Sequence, residues 1–204
     1  MSYSLLSTFD FQLLTIIMLK GILKNEGVLF IIKFLCLFGL LYYFCLLYIS
    51  ITMRGSNAFT VFLRDYLNYI DWLRYSVLRT SQTLCNLFGI YCYIENRILI
   101  KSVNTDKALH MGYDCIGYGV MSFWTAFVVA NKQKWVSKLY WVLGGSFLIW
   151  VINCVRVTIL MVALNNNWPI SEYVDHHTLF NIVAYCFLLV LIYFYIQSNK
   201  TKTA

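Results

Sequence analysis

Apolar positions along the chain gather into a few long runs separated by short polar stretches. A helix needs about 20 mostly apolar residues to cross the hydrocarbon of a bilayer. Four runs are read as spans on that criterion, at 28–53, 115–130, 139–164 and 178–196. The first is interrupted only by Lys33, whose long side chain can reach back to the interface. It is too long for a signal peptide and lacks the small-residue cleavage pattern, so it reads as a retained span. The second is short, and its helix is expected to begin about a turn earlier, near 110–113. The third carries one arginine and one asparagine, and the fourth carries no charge.

Two stretches depart from this pattern. Over 72–91 the apolar residues Leu73, Val77, Leu78, Leu84, Leu87, Phe88 and Tyr91 recur near helical spacing, and Arg74, Arg79, Ser81, Gln82 and Asn86 are read as the wet face. The spacing predicts an amphipathic helix in the outer interface, with a further crossing as the alternative. Residues 93–103 then alternate, which predicts a short β-hairpin turning at Glu95-Asn96. The expected fold is an all-α integral membrane protein of about four transmembrane helices. An outer interfacial helix and a short extracytoplasmic β-hairpin complete it, in a single polytopic domain over 1–204.

Composition sharpens the class. With 60% hydrophobic residues, 12% charged and a mean hydropathy of +0.67, the chain has more apolar surface than a soluble core of this size can hide. A soluble enzyme and a disordered chain are both excluded on that ground. The 16 Lys plus Arg against 9 Asp plus Glu give a net charge of +7, which sets topology. Lys132, Lys134 and Lys138 lie between the second and third runs, Lys200 and Lys202 follow the fourth, and Lys20 and Lys24 precede the first. The positive-inside rule puts all of them in the cytoplasm, leaving 54–114 and 165–177 outside. The expected location is the plasma (cytoplasmic or inner) membrane, multi-pass, with membrane lipids as neighbours and no nucleic-acid partner. Seven cysteines with no C-x-x-C spacing argue against a disulfide framework and against a zinc site.

An ionisable residue inside a span costs about 2.5 to 3.5 kcal/mol on insertion scales and marks function by default. Arg156 is that residue, with Asn153 one turn earlier on the same face. The structural alternative is an arginine that pairs with helix carbonyls or a lipid phosphate. Cys115 stands at the entrance of the second run, in Gly112-Tyr113-Asp114-Cys115-Ile116-Gly117-Tyr118-Gly119. Glycines there allow close backbone approach, and a helix N-terminus favours the thiolate. His176 and His177 stand at the entrance of the last run, where imidazole can serve as acid and base near neutrality. His110 is read as structural. Short connections make successive spans neighbours, so one cleft can hold thiol, guanidinium and imidazole.

At these residues the sequence resembles the exosortase and archaeosortase family, integral-membrane cysteine transpeptidases that process C-terminal sorting signals. The residues concerned are Cys115-Ile116-Gly117, Asn153-Cys154-Val155-Arg156 and His177-Thr178-Leu179-Phe180-Asn181, in order, over 111–181. Asn181 stands where the family usually has glycine, so His176 and His177 both stay candidates. The resemblance implies an extracytoplasmic site with Cys115, Arg156 and His177 catalytic, and Asn153, Gly117, His176 and Asn181 shaping it. It implies a substrate protein with a C-terminal short motif, hydrophobic span and basic tail, and neither metal nor organic cofactor. The rivals are a non-catalytic membrane scaffold or assembly protein with Arg156 on a lipid head group, and a small anion-binding transporter. A quinone-linked thiol oxidase would want paired cysteines.

Overall fold

The computed structural model describes residues 24–53, 61–168 and 176–200, with the side chains of Asp114, 176–181 and Lys200 outside that description. Helix α1, Glu26–Thr52, starts at the N-cap Asn25, whose side chain accepts from the Gly27 amide. A short helix α2, Val61–Tyr66, leads to α3, Tyr69–Leu87, capped by Asn68. Three strands follow, β1 Cys92–Glu95, β2 Leu99–Ser102 and β3 Ala108–His110, and then a 3-10 turn, Tyr113–Ile116. Helices α4 Tyr118–Ala130, α5 Trp135–Asn165 and α6 His176–Lys200 complete the chain.

Among the described residues, α1, α5 and residues Ile182–Asn199 of α6 are long and apolar enough to cross a membrane. Their outward faces are apolar as well: Leu40, Leu47, Leu143, Phe147, Leu189 and Phe194 are all exposed. Helix α4 is apolar but has only 13 residues. At 1.5 Å per residue it reaches about 20 Å, short of a hydrocarbon core of about 30 Å. The expected earlier start near 110–113 does not occur. His110 pairs in β3, and Gly117, at φ +85°, separates the 3-10 turn from α4.

Aromatic residues four apart on α1 fix its packing. Phe34 meets Phe123 edge to face at 5.0 Å, Phe30 meets Phe127 at 5.9 Å, and Tyr42 stacks on Tyr118 at 5.7 Å. The rising numbers on α1 against falling ones on α4 make the two helices antiparallel. Helix α5 runs back along α4, with Trp124 donating from Nε1 to the Trp141 carbonyl at 2.9 Å beside Gly145. Tyr195 of α6 packs on Trp124, Phe127 and Trp141, so α6 descends beside α4. The helices alternate in direction. Lys132 pairs with Glu26 and Lys138 donates to the Val129 carbonyl at the same end of the bundle, and the sheet lies at the other.

The expected hairpin is one strand short. β1 and β2 pair antiparallel with Glu95 opposite Leu99, through a turn in which Asn96 and Arg97 have positive φ. β3 then adds to the far edge of β2, with Leu99 opposite His110. Helix α3 keeps part of the expected stripe, with Val77 and Leu78 buried and Leu73 and Leu84 packed against the core, and shifts the rest. Ile70, Arg74, Val77, Leu78, Ser81 and Cys85 face inward, while Leu87, Phe88 and Tyr91 are exposed. Polar partners explain the exchange: Ser81 donates to the Cys154 carbonyl at 3.0 Å, and Arg74 pairs with Asp71 one turn away. Trp150 donates from Nε1 to Ser76 Oγ at 2.9 Å, which completes the lock between α3 and α5.

Candidate active site

The turn that carries Cys115 is built by hydrogen bonds on both sides. Upstream, the Met111 amide donates to the Ile98 carbonyl at 2.9 Å, which ties the turn to the sheet. Within it, the Cys115 amide donates to Gly112 at 3.2 Å. Downstream, Gly117 takes a left-handed conformation that L side chains rarely adopt. Cys115 therefore sits in a 3-10 turn ahead of α4 rather than in its first turn, and the helix N-terminus expected to favour its thiolate is displaced from it.

A side-chain cation takes that place. Arg156 Nη2 lies 3.8 Å from Cys115 Sγ, the geometry of a guanidinium donating to sulfur. Both residues are half-buried. Asn153, one turn before Arg156 on α5, is buried, and its Nδ2 donates to the carbonyl oxygens of Cys115 at 3.0 Å and Ile116 at 2.6 Å. Its amide thus holds the backbone of the turn while Arg156 meets the thiol. The two residues divide the work of one helical face.

Gly117 is where turn and helix come closest. A Cβ there would stand 3.0 Å from Asn153 Nδ2. A cavity of ≈ 50 Å³ opens beside it, lined by Val120, Asn153, Arg156, Ala184 and Phe187. A second, apolar cleft of ≈ 700 Å³ also starts at Gly117 and runs between α1, α4 and α6 past Tyr42, Phe38, Phe123 and Leu188.

His176 opens α6, and His177 and Asn181 follow within its first two turns; the side chains of all three lie outside the described residues. The backbone fixes their register. Ala184, which lines the small cavity, is seven residues after His177 on the same helical face, about 10.5 Å along the axis. His110 is exposed on the edge strand β3.

The structure brings Cys115, Gly117, Asn153 and Arg156 together. Of the other cysteines, Cys36 and Cys186 are exposed on the outward faces of α1 and α6, and Cys85, Cys92 and Cys154 are buried. Burial pushes the Cys85 thiol up to about 12, which suppresses its nucleophilic form at neutral pH. Among the described residues no group of three His, Cys, Asp or Glu side chains is arranged to hold a metal ion. Sequence reasoning missed Asp71, Arg74 and Tyr113, which pack behind the turn; the one available signal was an acid and a base three apart at a helix start.

No family model, curated protein or solved structure matches the chain. The chemistry therefore rests on the geometry. A guanidinium beside a sulfur, on a turn clamped by an amide, offers directed donors to a negative oxygen formed next to it.

Proposed function

We propose that this protein is a membrane-embedded cysteine peptidase or transpeptidase, similar to exosortases, acting on the C-terminal sorting signal of exported, membrane-anchored proteins. The observation that carries the reading is the contact between Arg156 Nη2 and Cys115 Sγ, with Asn153 holding the backbone on which the thiol stands. The bundle's lysine-bearing end lies away from this site, so the positive-inside rule turns the site outward. An apolar cleft beginning at Gly117, next to the thiol's turn, suits a polypeptide substrate carried in the bilayer.

In this mechanism the Cys115 thiolate attacks the scissile carbonyl carbon, and the carbonyl π pair moves onto oxygen beside Arg156. Collapse re-forms the carbonyl as a thioester and expels the amine, which takes its proton from His177. An acceptor amine or water, giving a proton back to His177, then displaces the thiolate. The chemistry needs only side chains of this one chain.

The test is co-expression with a membrane protein from the same genome that ends in a short motif, an apolar run and basic residues. Processing is followed as a mobility shift. Cys115→Ala is expected to abolish the shift, while Cys36→Ala and Cys186→Ala retain it. Full processing by Cys115→Ala would end the reading.

A further inference from the structure

Arg74 is a buried arginine that the chemistry above does not use. It is only 7% exposed, in a stripe of α3 otherwise filled by Ile70, Val77, Leu78, Ser81 and Cys85. Asp71 pairs with it from one turn earlier, and Arg97 of the β1–β2 turn reaches the other oxygen of Asp71 at 3.9 Å. Arg74 Nε is buried with no hydrogen-bond partner among the described residues. Its guanidinium carbon instead lies 4.8 Å from the centroid of the Tyr113 ring. Tyr113 is the first residue of the 3-10 turn that holds Cys115.

An arginine on an apolar stripe is a poor choice for packing alone, since a leucine would fill the space without leaving an N–H unmet. A planar cation is the right choice for gripping the face of an aromatic ring, most of all where water is excluded. We propose that Arg74 is a positioning residue: oriented by Asp71, it holds the Tyr113 ring and so fixes the turn on which Cys115 meets Arg156. The turn is then gripped from two sides, by Asn153 of α5 through its carbonyls and by Arg74 of α3 through its first side chain. This deepens the proposed function, resting on it for what Cys115 does but not for how the turn is held.

Among the described side chains, the charged and titratable groups around the turn include Arg156 from α5, Arg74 and Asp71 from α3, Arg97 from the sheet, and Tyr113 of the turn itself. Loss of the grip lets the sulfur move off Arg156 and changes its access and its hydrogen bond.

The experiment uses the full chain in lipid nanodiscs and iodoacetamide as the probe. Alkylation of Cys115 is quantified by peptide mass from pH 5 to pH 10. Arg74→Met and Tyr113→Leu are expected to slow Cys115 alkylation on the order of ten-fold, about 1.4 kcal/mol, across that range. Arg74→Lys, which keeps a cation beside Asp71 but loses the planar face, recovers only part of the rate, and Tyr113→Phe, which keeps the ring, follows the parent profile. If Arg74→Met does not fold, the two Tyr113 variants decide the matter. Unchanged alkylation rates in Tyr113→Leu and in any folded Arg74→Met would overturn the proposal, as would Tyr113→Phe behaving like Tyr113→Leu. Because the readout is thiol chemistry and not substrate processing, a Cys115→Ala protein that still processes would sink the peptidase reading alone.

Discussion

Asn153 and Gly117 are fitted to each other: the carboxamide nitrogen of one lies 3.0 Å from where a Cβ of the other would stand, and that nitrogen donates to the carbonyls of the two residues just before the glycine. The glycine is needed twice, for its left-handed backbone and for the space its missing side chain leaves to the amide. Gly117→Ala is therefore expected to cost about 1–2 kcal/mol for the backbone alone. The crowded amide adds to that. Thermal unfolding in detergent should show the loss, with Cys115 alkylation slowed in the fraction that stays folded. A variant as stable and as reactive as the parent would show that the turn does not need its observed shape.

Asn153→Ala removes both hydrogen bonds to the turn and leaves two carbonyl oxygens without that donor. A buried polar group left unmet costs about 1–3 kcal/mol, so a destabilisation in that range is expected. Asn153→Asp should be worse, because an ionised carboxylate offers only acceptors to the two carbonyls. Comparison of the three melting curves checks the order Asn, Ala, Asp.

Adjacent glycines of α5 make a contrasting pair. A Cβ at Gly145 would fall 2.0 Å from Trp124 Nε1, in a ring that is wholly buried and bonded to Trp141, whereas Gly144 has nothing within 4 Å. Gly145→Ala is expected to lose about 1–3 kcal/mol through overpacking. Gly144→Ala should be neutral or stabilising by about 0.5–1 kcal/mol, as glycine-to-alanine changes inside helices are. Unfolding midpoints of the two variants moving together would contradict this packing.

The buried thiol of Cys85 supplies a pH prediction. Burial raises it to about 12. A group raised in the folded chain stays protonated there while the unfolded chain, with an ordinary thiol near 8.5, already ionises. Its contribution to stability is thus complete below about pH 8.5 and is lost as pH rises towards about 12. At pH 8 the folded protein should leave Cys85 unalkylated, whereas the denatured chain is modified there. Modification of Cys85 in the folded protein at the rate of the denatured chain would contradict its burial.

The long apolar runs were legible because 26–52, 135–165 and 182–199 each hold a window of 18 residues with at most two charges and a mean hydropathy of 1.8 or 2.3. The spacing of Asn153 and Arg156 put them on one helical face without a structure. The stripe of α3 was not legible in the same way. Arg74 and Ser81 look like surface residues until Asp71 and the Cys154 carbonyl are seen to satisfy them inside. Nor does hydropathy distinguish a 3-10 turn from the first turn of a helix: that break is set by the positive φ of Gly117, in a segment with three glycines. The third strand escaped because Ala108–His110 is too short to show an alternation of its own.

The contact between Arg156 and Cys115 is the centre of the account, and substitution at 156 tests it most directly. A guanidinium can direct two hydrogen bonds at a thiolate and a developing oxyanion, which an ammonium on a flexible stem cannot reproduce. Substrate processing per unit of membrane-inserted protein is to be measured for Arg, Lys and Met at position 156. The expected result is a loss on the order of 100 to 1,000-fold in both variants, the scale for removing one oxyanion donor. Processing by Arg156→Lys at the rate of the parent would contradict the account, leaving Arg156 a charge that anchors the helix and not a group that acts on the sulfur.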